Sequence, residues 1–263
     1  MDLDLQGRTA LVTGSTRGIG FATVLGLARM GARVVLHGRT EESVAKGLQR
    51  FQDALGTAGE GVAGDLGNVE GCSSVFAAVP EADILVNNMG IYEMRPFDEI
   101  DDATWLDYFQ INVMSGVRLA RHYLPAMRRK DWGRVVFISS ESGVFIPPEM
   151  IHYGFTKAAQ LAIGRGLAET TVGTGVTVNS VLPGPTWVET QEERLGKRAK
   201  DENRTIEDLQ GDTFRLRRTS SLLQRYATVD EVANLICYVC SKASSATNGA
   251  SLRVDGGVVR TYI

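Results

Sequence analysis

Short apolar, β-branched runs alternate with stretches of helical periodicity along the chain. The runs are TALVT (9–13), ARVVLH (32–37), GVAGD (61–65), DILVNN (83–88), RVVFIS (134–139), VTVNSVL (176–182) and SLRVD (251–255). Between them lie periodic stretches of helical length, such as GIGFATVLGLARMG and the long WLDYFQINVMSGVRLARHYLPAMRRK. Strands separated by helices predict right-handed βαβ units and a parallel sheet covered on both faces. The expected fold class is therefore α/β: a doubly wound, seven-stranded parallel sheet with helices on both sides. No linker rich in proline, glycine or serine divides the chain, and it has no internal repeat, so residues 1–263 read as one domain.

One segment departs from this rhythm. From 187 to 223 the chain reads WVETQEERLGKRAKDENRTIEDLQGDTFRLRRTSSLL, rich in charges of both signs and poor in apolar positions. Most such runs are solvated helical faces. This one follows the sixth predicted strand, at the end of the sheet where doubly wound folds bind ligands, and it is expected to act as a lid over a site.

Composition narrows the field. The 263 residues are 43% hydrophobic and 22% charged, as in an ordinary globular protein, and the net charge of −3 gives no basic excess for nucleic acid. No apolar stretch suffices to cross a bilayer, and MDLDLQGRTALVTG lacks the basic-then-apolar order of a secretory signal, so a cytoplasmic protein is expected. Three cysteines are too few for a disulfide framework. Cys237 and Cys240 form a C-x-x-C inside an amphipathic helical pattern and read as packing residues, and the three histidines have no metal-ligand spacing. No metal is expected.

The glycines of TGSTRGIG carry the first chemical signal. Gly14, Gly18 and Gly20 fall directly after the first strand and at the start of the first helix, with Ser15, Thr16, Arg17 and Ile19 between them. Glycine lets backbone approach a pyrophosphate, and a helix amino terminus offers N–H donors to it, so a Rossmann-type dinucleotide site is predicted. An acid at the end of the second strand would hold the ribose hydroxyls of NAD, but VVLHGRT has Gly38 there, followed by Arg39 and Thr40. Arg17 and Arg39 would both welcome a 2′-phosphate, so NADP(H) is preferred, with NAD(H) possible.

Tyr153 and Lys157 in HYGFTK stand at i, i+4 on one helical face, and Ser140 ends the apolar run RVVFIS. A phenol of pKa about 10 is a poor base at neutral pH. A lysine ammonium one turn away is expected to lower it, while the serine hydroxyl orients a substrate oxygen.

With these motifs in order, the chain resembles the short-chain dehydrogenase/reductase family over nearly its whole length, and NADP-dependent carbonyl and 3-oxoacyl reductases in particular. TGSTRGIG is similar to the family's cofactor turn, and DILVNNMG to its NNAG segment, with Met89 in place of alanine. INVMSG, ISSESG and YGFTK supply Asn112, Ser140, Tyr153 and Lys157. VLPGPT resembles the family's PG motif, and RVDGG its closing strand and turn. The resemblance implies that Tyr153 is the general acid in reduction and the base in oxidation. It implies that Lys157 lowers the tyrosine pKa and binds the nicotinamide ribose, and that Ser140 polarises the carbonyl. Asn112 would hold, through its backbone, a water linking Lys157 to solvent. Asp65 and Leu66 would flank the adenine, and Asn88 and Gly90 would lie beneath the ribose and nicotinamide side. Pro183, Gly184 and Thr186 would line the nicotinamide. Val188 stands where the family often has threonine.

The substrate pocket is expected from Ile91–Met94, Glu141–His152 and the 187–223 segment. ESGVFIPPEMIH suggests a medium-sized substrate with an apolar body. The segment from 189 to 218 balances eight acids with eight bases, so it offers no uniform field for an acidic carrier protein. Three readings stay open: a carbonyl reductase or alcohol dehydrogenase, including a 3-oxoacyl-thioester reductase; an NAD-dependent dehydrogenase of polyols or hydroxy compounds; and a non-catalytic dinucleotide sensor. The expected partner is a small carbonyl or alcohol substrate, not a nucleic acid or a membrane. The resemblance further implies a homotetramer, or less often a dimer, built on the helices near 101–130 and 153–172.

Overall fold

The computed structural model describes residues 2–262. In chain order the elements are β1 (Thr9–Val12), α1 (Gly18–Arg29), β2 (Arg33–Gly38), α2 (Glu41–Leu55), β3 (Glu60–Ala63), α3 (Val69–Ala78), β4 (Ile84–Asn87), α4 (Asp102–Tyr108), α5 (Ser115–Arg129), β5 (Gly133–Ile138), α6 (Ile151–Glu169), β6 (Val176–Pro183), α7 (Glu189–Glu202), α8 (Ile206–Asp212), α9 (Val229–Cys240) and β7 (Ser251–Val254). The strands form one parallel sheet in the order β3-β2-β1-β4-β5-β6-β7. Each expected strand is present, and the fold is α/β, Rossmann-like and doubly wound. The order reverses between β1 and β4, and ligands of such sheets bind outside the carboxyl ends of the strands at that point.

Both faces of the sheet are buried. Val12, Val34, Val86, Val136 and Val181 face one helical layer with Val24, Leu27, Val232 and Ile236. Leu11, Val35, Leu85, Val135 and Val178 face the other, with Val75, Leu119 and Tyr123. This two-sided burial is why the strands read as continuous apolar runs rather than alternating ones. The C-x-x-C lies in the first layer, where a Cβ on Gly26 would stand 2.5 Å from Cys237 Sγ, so α1 and α9 approach closely there. Burial pushes the Cys237 thiol up to about 12.

Two stretches differ from the sequence reading. The long helix from Trp105 onward is unbroken but not α-helical throughout: α4 passes into a π-helical stretch, Phe109–Met114, before α5 begins. The charged 187–223 segment folds into α7, α8 and a second π-helical stretch, Thr213–Arg217. Leu195, Ala199 and Leu209 are buried within it against Trp187, Ile206 and Tyr226, so it has a small apolar centre of its own. Asn203, in the left-handed region at φ 49°, ends α7, and the Thr205–Asp208 capping box starts α8.

Candidate active site

The glycine turn is built from both neighbouring strands. The Ser15 hydroxyl donates to the Val12 carbonyl at 2.7 Å and accepts from the His37 N–H at 2.9 Å. His37 lies beneath the turn: Gly14 N–H donates to Nδ1 at 3.1 Å, and Nε2 stands 2.9 Å from the Gly64 carbonyl. A carbonyl only accepts, so the proton sits on Nε2, and burial holds the ring below the usual histidine range, in its neutral form. On the β4 side, Thr13 Oγ1 accepts from the N–H groups of Asn88 and Met89 at 2.9 and 3.0 Å. Asn88 Nδ2 donates to the carbonyls of Thr13 and Gly14. A Cβ on Gly20 would fall 2.5 Å from that nitrogen and 2.6 Å from the Gly14 oxygen, so only glycine fits. The Met89 side chain is accommodated by packing against the second apolar layer of the core, while its backbone lies against Gly14.

These features fit a dinucleotide pyrophosphate. Helix α1 opens at Gly18 with no side-chain cap at Arg17 and no acid in its first turn, which leaves its first N–H groups facing the cleft as anion donors. Arg17, Gly18, Ile19, Gly20, Asn88 and Gly90 line that cleft together with Ser140, Tyr153, Lys157, Pro183, Gly184 and Thr186. Gly14, Ser15 and Thr16 belong to the same turn but do not line the cleft. Gly38, Arg39, Thr40, Asp65 and Leu66 stand apart from it, at the carboxyl ends of β2 and β3. There Arg39 donates through Nε and Nη2 to Asp65 at 3.1 and 2.9 Å, a partly exposed pair. Thr40 caps α2 in a capping box with Ser43, and the Leu66 side chain is fully buried. Thr186 Oγ1 donates to the Gly184 carbonyl at 2.9 Å.

Four side chains expected to do chemistry converge around the start of α6. Ser140, directly after β5, is buried, and its hydroxyl donates to Glu141 at 2.5 Å while accepting from Ser142 N–H at 3.1 Å. Burial pushes the Tyr153 phenol well up, and the nearby Glu141 carboxylate adds to this; the hydrogen bond with Ser140 pulls it the other way. Lys157 is buried and its amine is pulled down to about 7 by desolvation. Its Nζ lies 5.5 Å from the Tyr153 ring centre and donates to the Ile138 carbonyl at 2.9 Å and to Gln160 Oε1 at 3.2 Å. The expected lowering of the Tyr153 pKa is therefore not what these groups produce by themselves: burial outweighs them.

Asn112 sits in the π-helical stretch and is fully occupied. Its Oδ1 accepts from Ile91 N–H at 2.8 Å, and its Nδ2 donates to Ile91 O and Thr156 Oγ1, both at 3.0 Å. Its backbone carbonyl, the group expected to hold a water, accepts from Gln160 Nε2 at 2.6 Å. Gln160 thus bridges Asn112 and Lys157 directly. Sequence reading passed over it, although its place three residues after Lys157 on one helical face was the available signal. Of the expected pocket segments, Tyr92, Met94, Glu141, Glu149 and Met150 line the cleft, as do Thr190, Arg194, Arg217 and Arg218 from the 187–223 segment. His152 does not: it is buried against Trp105 and Tyr108. Among the described residues no helix is long and apolar enough to cross a membrane, and no cluster of three or more His, Cys, Asp or Glu could hold a metal ion.

Known proteins are similar to this chain in sequence and fold. Residues 8–199 match the family model for the short chain dehydrogenases. The chain is 46% identical to the uncharacterized oxidoreductase YvaG of Bacillus subtilis, over 99% of each chain. It is 31% identical to the 3-oxoacyl-[acyl-carrier-protein] reductase FabG of Vibrio cholerae, covering 97% of this chain and 99% of that one. Its structure is similar to that of L-sorbose reductase from Gluconobacter frateurii complexed with NADPH and L-sorbose, at TM-score 0.92 and 29% identity, covering 99% and 100% of the two chains. A glycine turn at the sheet's switch point with Ser140, Tyr153 and Lys157 in the cleft beside it accompanies this end-to-end likeness, and the chain belongs to the short chain dehydrogenase family.

Proposed function

We propose that this protein interconverts a secondary alcohol and a carbonyl compound with NADP(H), through Ser140, Tyr153, Lys157 and Asn112. The observation that carries the reading is that Ser140, Tyr153 and Lys157 line the same cleft as the glycine turn. Bound there, the nicotinamide supplies or accepts the hydride at the substrate carbon. Tyr153 gives a proton to the substrate oxygen in reduction and takes it back in oxidation, and its raised pKa favours the protonated, acid form. Lys157, near 7, can exchange a proton at neutral pH, and its Nζ is held by Ile138 and Gln160. Ser140 orients the substrate oxygen. Asn112 fixes the stretch after β4 against α6 through Ile91 and Thr156.

NADP(H) is favoured because Gly38 leaves no carboxylate at the end of β2, and because Arg17 is exposed at the mouth of the turn. Arg39 would leave Asp65 for a 2′-phosphate; their pair is exposed and therefore weak, worth about 0–1 kcal/mol. The NADPH complex of the similar L-sorbose reductase supports the same choice. The 187–223 segment acts as the substrate lid of a single catalytic domain, since its Thr190, Arg194, Arg217 and Arg218 wall the cleft. Leu106 and Phe155, exposed on α4 and α6, mark the faces on which a cytoplasmic homotetramer would assemble.

The test is a panel of ketones, hydroxyketones and 3-oxoacyl thioesters, run with NADPH and NADH in parallel. Turnover with NADPH at a kcat/KM at least about tenfold above that with NADH is expected. Tight NADPH binding without turnover of any panel member would favour a sensor instead.

A further inference from the structure

A second carboxylate lies beside the reacting groups. Glu141, one residue after Ser140, is 4% exposed and lines the cleft. Its Oε2 accepts a hydrogen bond from the Ser140 hydroxyl at 2.5 Å, and its Oε1 accepts from Arg218 Nε at 3.1 Å. Arg218 comes from the end of the 187–223 segment, and the side chains of the pair are 12% and 5% exposed. The segment is fastened just beyond this point: Ser221 N–H donates to Arg218 O, and Leu222 and Leu223 N–H both donate to Gly256 O. Apolar residues of similar volume would fill such a position at lower desolvation cost, so a charged pair retained here calls for a reason beyond packing. A hydroxyl has one proton, and Ser140 directs it at Glu141; donating to a substrate oxygen requires turning it from that carboxylate, so Glu141 governs which way the serine points.

On the proposed reading of the site, we infer that Arg218 and Glu141 form a positioning pair through which the seating of the 187–223 segment sets the protonation of Tyr153. With Arg218 in place, the Glu141 charge is partly offset, so its upward push on the phenol is smaller than that of an unpaired carboxylate. With Arg218 withdrawn, a bare carboxylate stands beside Ser140 and holds Tyr153 protonated. The second-largest influence on Tyr153, after burial, is the Glu141 charge, in the direction this requires. The other groups facing Tyr153 lie on separate elements. They are Lys157 on α6, Tyr92 after β4 and Tyr108 on α4, with Glu149 and Arg217 elsewhere on the cleft wall. None of them is bonded to both Ser140 and the 187–223 segment, as Glu141 is.

The pair predicts pH shifts of opposite sign. In alcohol oxidation, the rising limb of kcat/KM against pH should move down by about one unit in Glu141→Gln and up by about one unit in Arg218→Gln. It should lie near the parent position in the double variant and in Arg218→Lys. The second readout needs no turnover: a fluorinated tyrosine in place of Tyr153, with a phenol that ionises at lower pH, followed by its fluorine resonance in the protein without substrate. The same opposite shifts are expected there, in variants whose melting curves show them folded. Limbs and resonance midpoints that stay together in all variants, or move the same way in both single variants, would overturn the inference and leave the proposed reaction intact. A wild-type protein inactive toward every alcohol, yet with the opposite resonance shifts, would overturn the reaction and leave the pair.

Discussion

His37 shows how one buried side chain can tie the cofactor turn to pH. Its ring serves Gly14 N–H as acceptor and Gly64 O as donor, and only the neutral tautomer does both. Burial depresses its pKa in the fold, while the unfolded chain keeps a value of about 6.5. Above that value both states are neutral and His37 adds no pH dependence. As pH falls below it the unfolded state binds the proton first, and stability is lost until the folded pKa is reached. His152, buried with its own pKa depressed, acts with the same sign. Urea unfolding at pH 8 and pH 5 should therefore differ more in the parent than in His37→Gln, by about 1–2 kcal/mol. An equal loss in both proteins would show that the ring is not held neutral. The two arginines chosen for the 2′-phosphate teach a related lesson. Arg39 was legible as a cation directly after the second strand, but its pairing with Asp65 was not. That contact depends on the register that sets Gly38 beside Ala63 in neighbouring strands, which one-dimensional pattern does not carry.

At the scale of elements, the edge strands β3 and β7 are the more exposed, whereas the central strands were legible because they are buried on both faces and so write themselves as runs of apolar, β-branched residues. The π-helical stretch at Phe109–Met114 was not, because the apolar positions of WLDYFQINVM continue through it without a break. It is where Asn112 is presented, as such stretches often are at functional sites. The order within the 187–223 segment was also hidden: a few apolar residues, Leu195, Ala199 and Leu209, suffice to centre it once Trp187 and Tyr226 close over them. The glycine turn was fully legible, and its geometry makes a sharp demand. Gly20→Ala would drive a methyl into Asn88 Nδ2 and the Gly14 carbonyl, displacing the side chain that holds β1 to β4. Titration calorimetry should show NADPH affinity at least about tenfold weaker in this variant, with the Tyr153 site unaltered. Unchanged affinity would mean that the turn does not carry the phosphates.

Across the whole molecule, the two ends of the sheet do different work. At the amino ends of the strands the chain is sealed by packing and by Arg134, a buried cation whose donors go to the carbonyls of Gly133, Gly175 and Ser241 and whose guanidinium lies over Trp132. At the carboxyl ends the groups left facing a cleft are those proposed to bind the cofactor and move the proton. Ser140, Tyr153 and Lys157 were legible in sequence because their spacing is fixed by one strand end and one helical face. Gln160 and the Glu141–Arg218 pair were not, because their meaning lies in contacts between distant parts of the chain. The central claim is that Tyr153 moves the proton while the cleft organises hydride transfer from NADPH. Single-turnover reduction of a panel ketone, in the parent and in Tyr153→Phe loaded with NADPH to the same occupancy, tests it most directly. The account predicts unchanged NADPH binding and a turnover rate at least about a hundredfold lower in the variant. Tyr153→Phe turning over at the parent rate would contradict it.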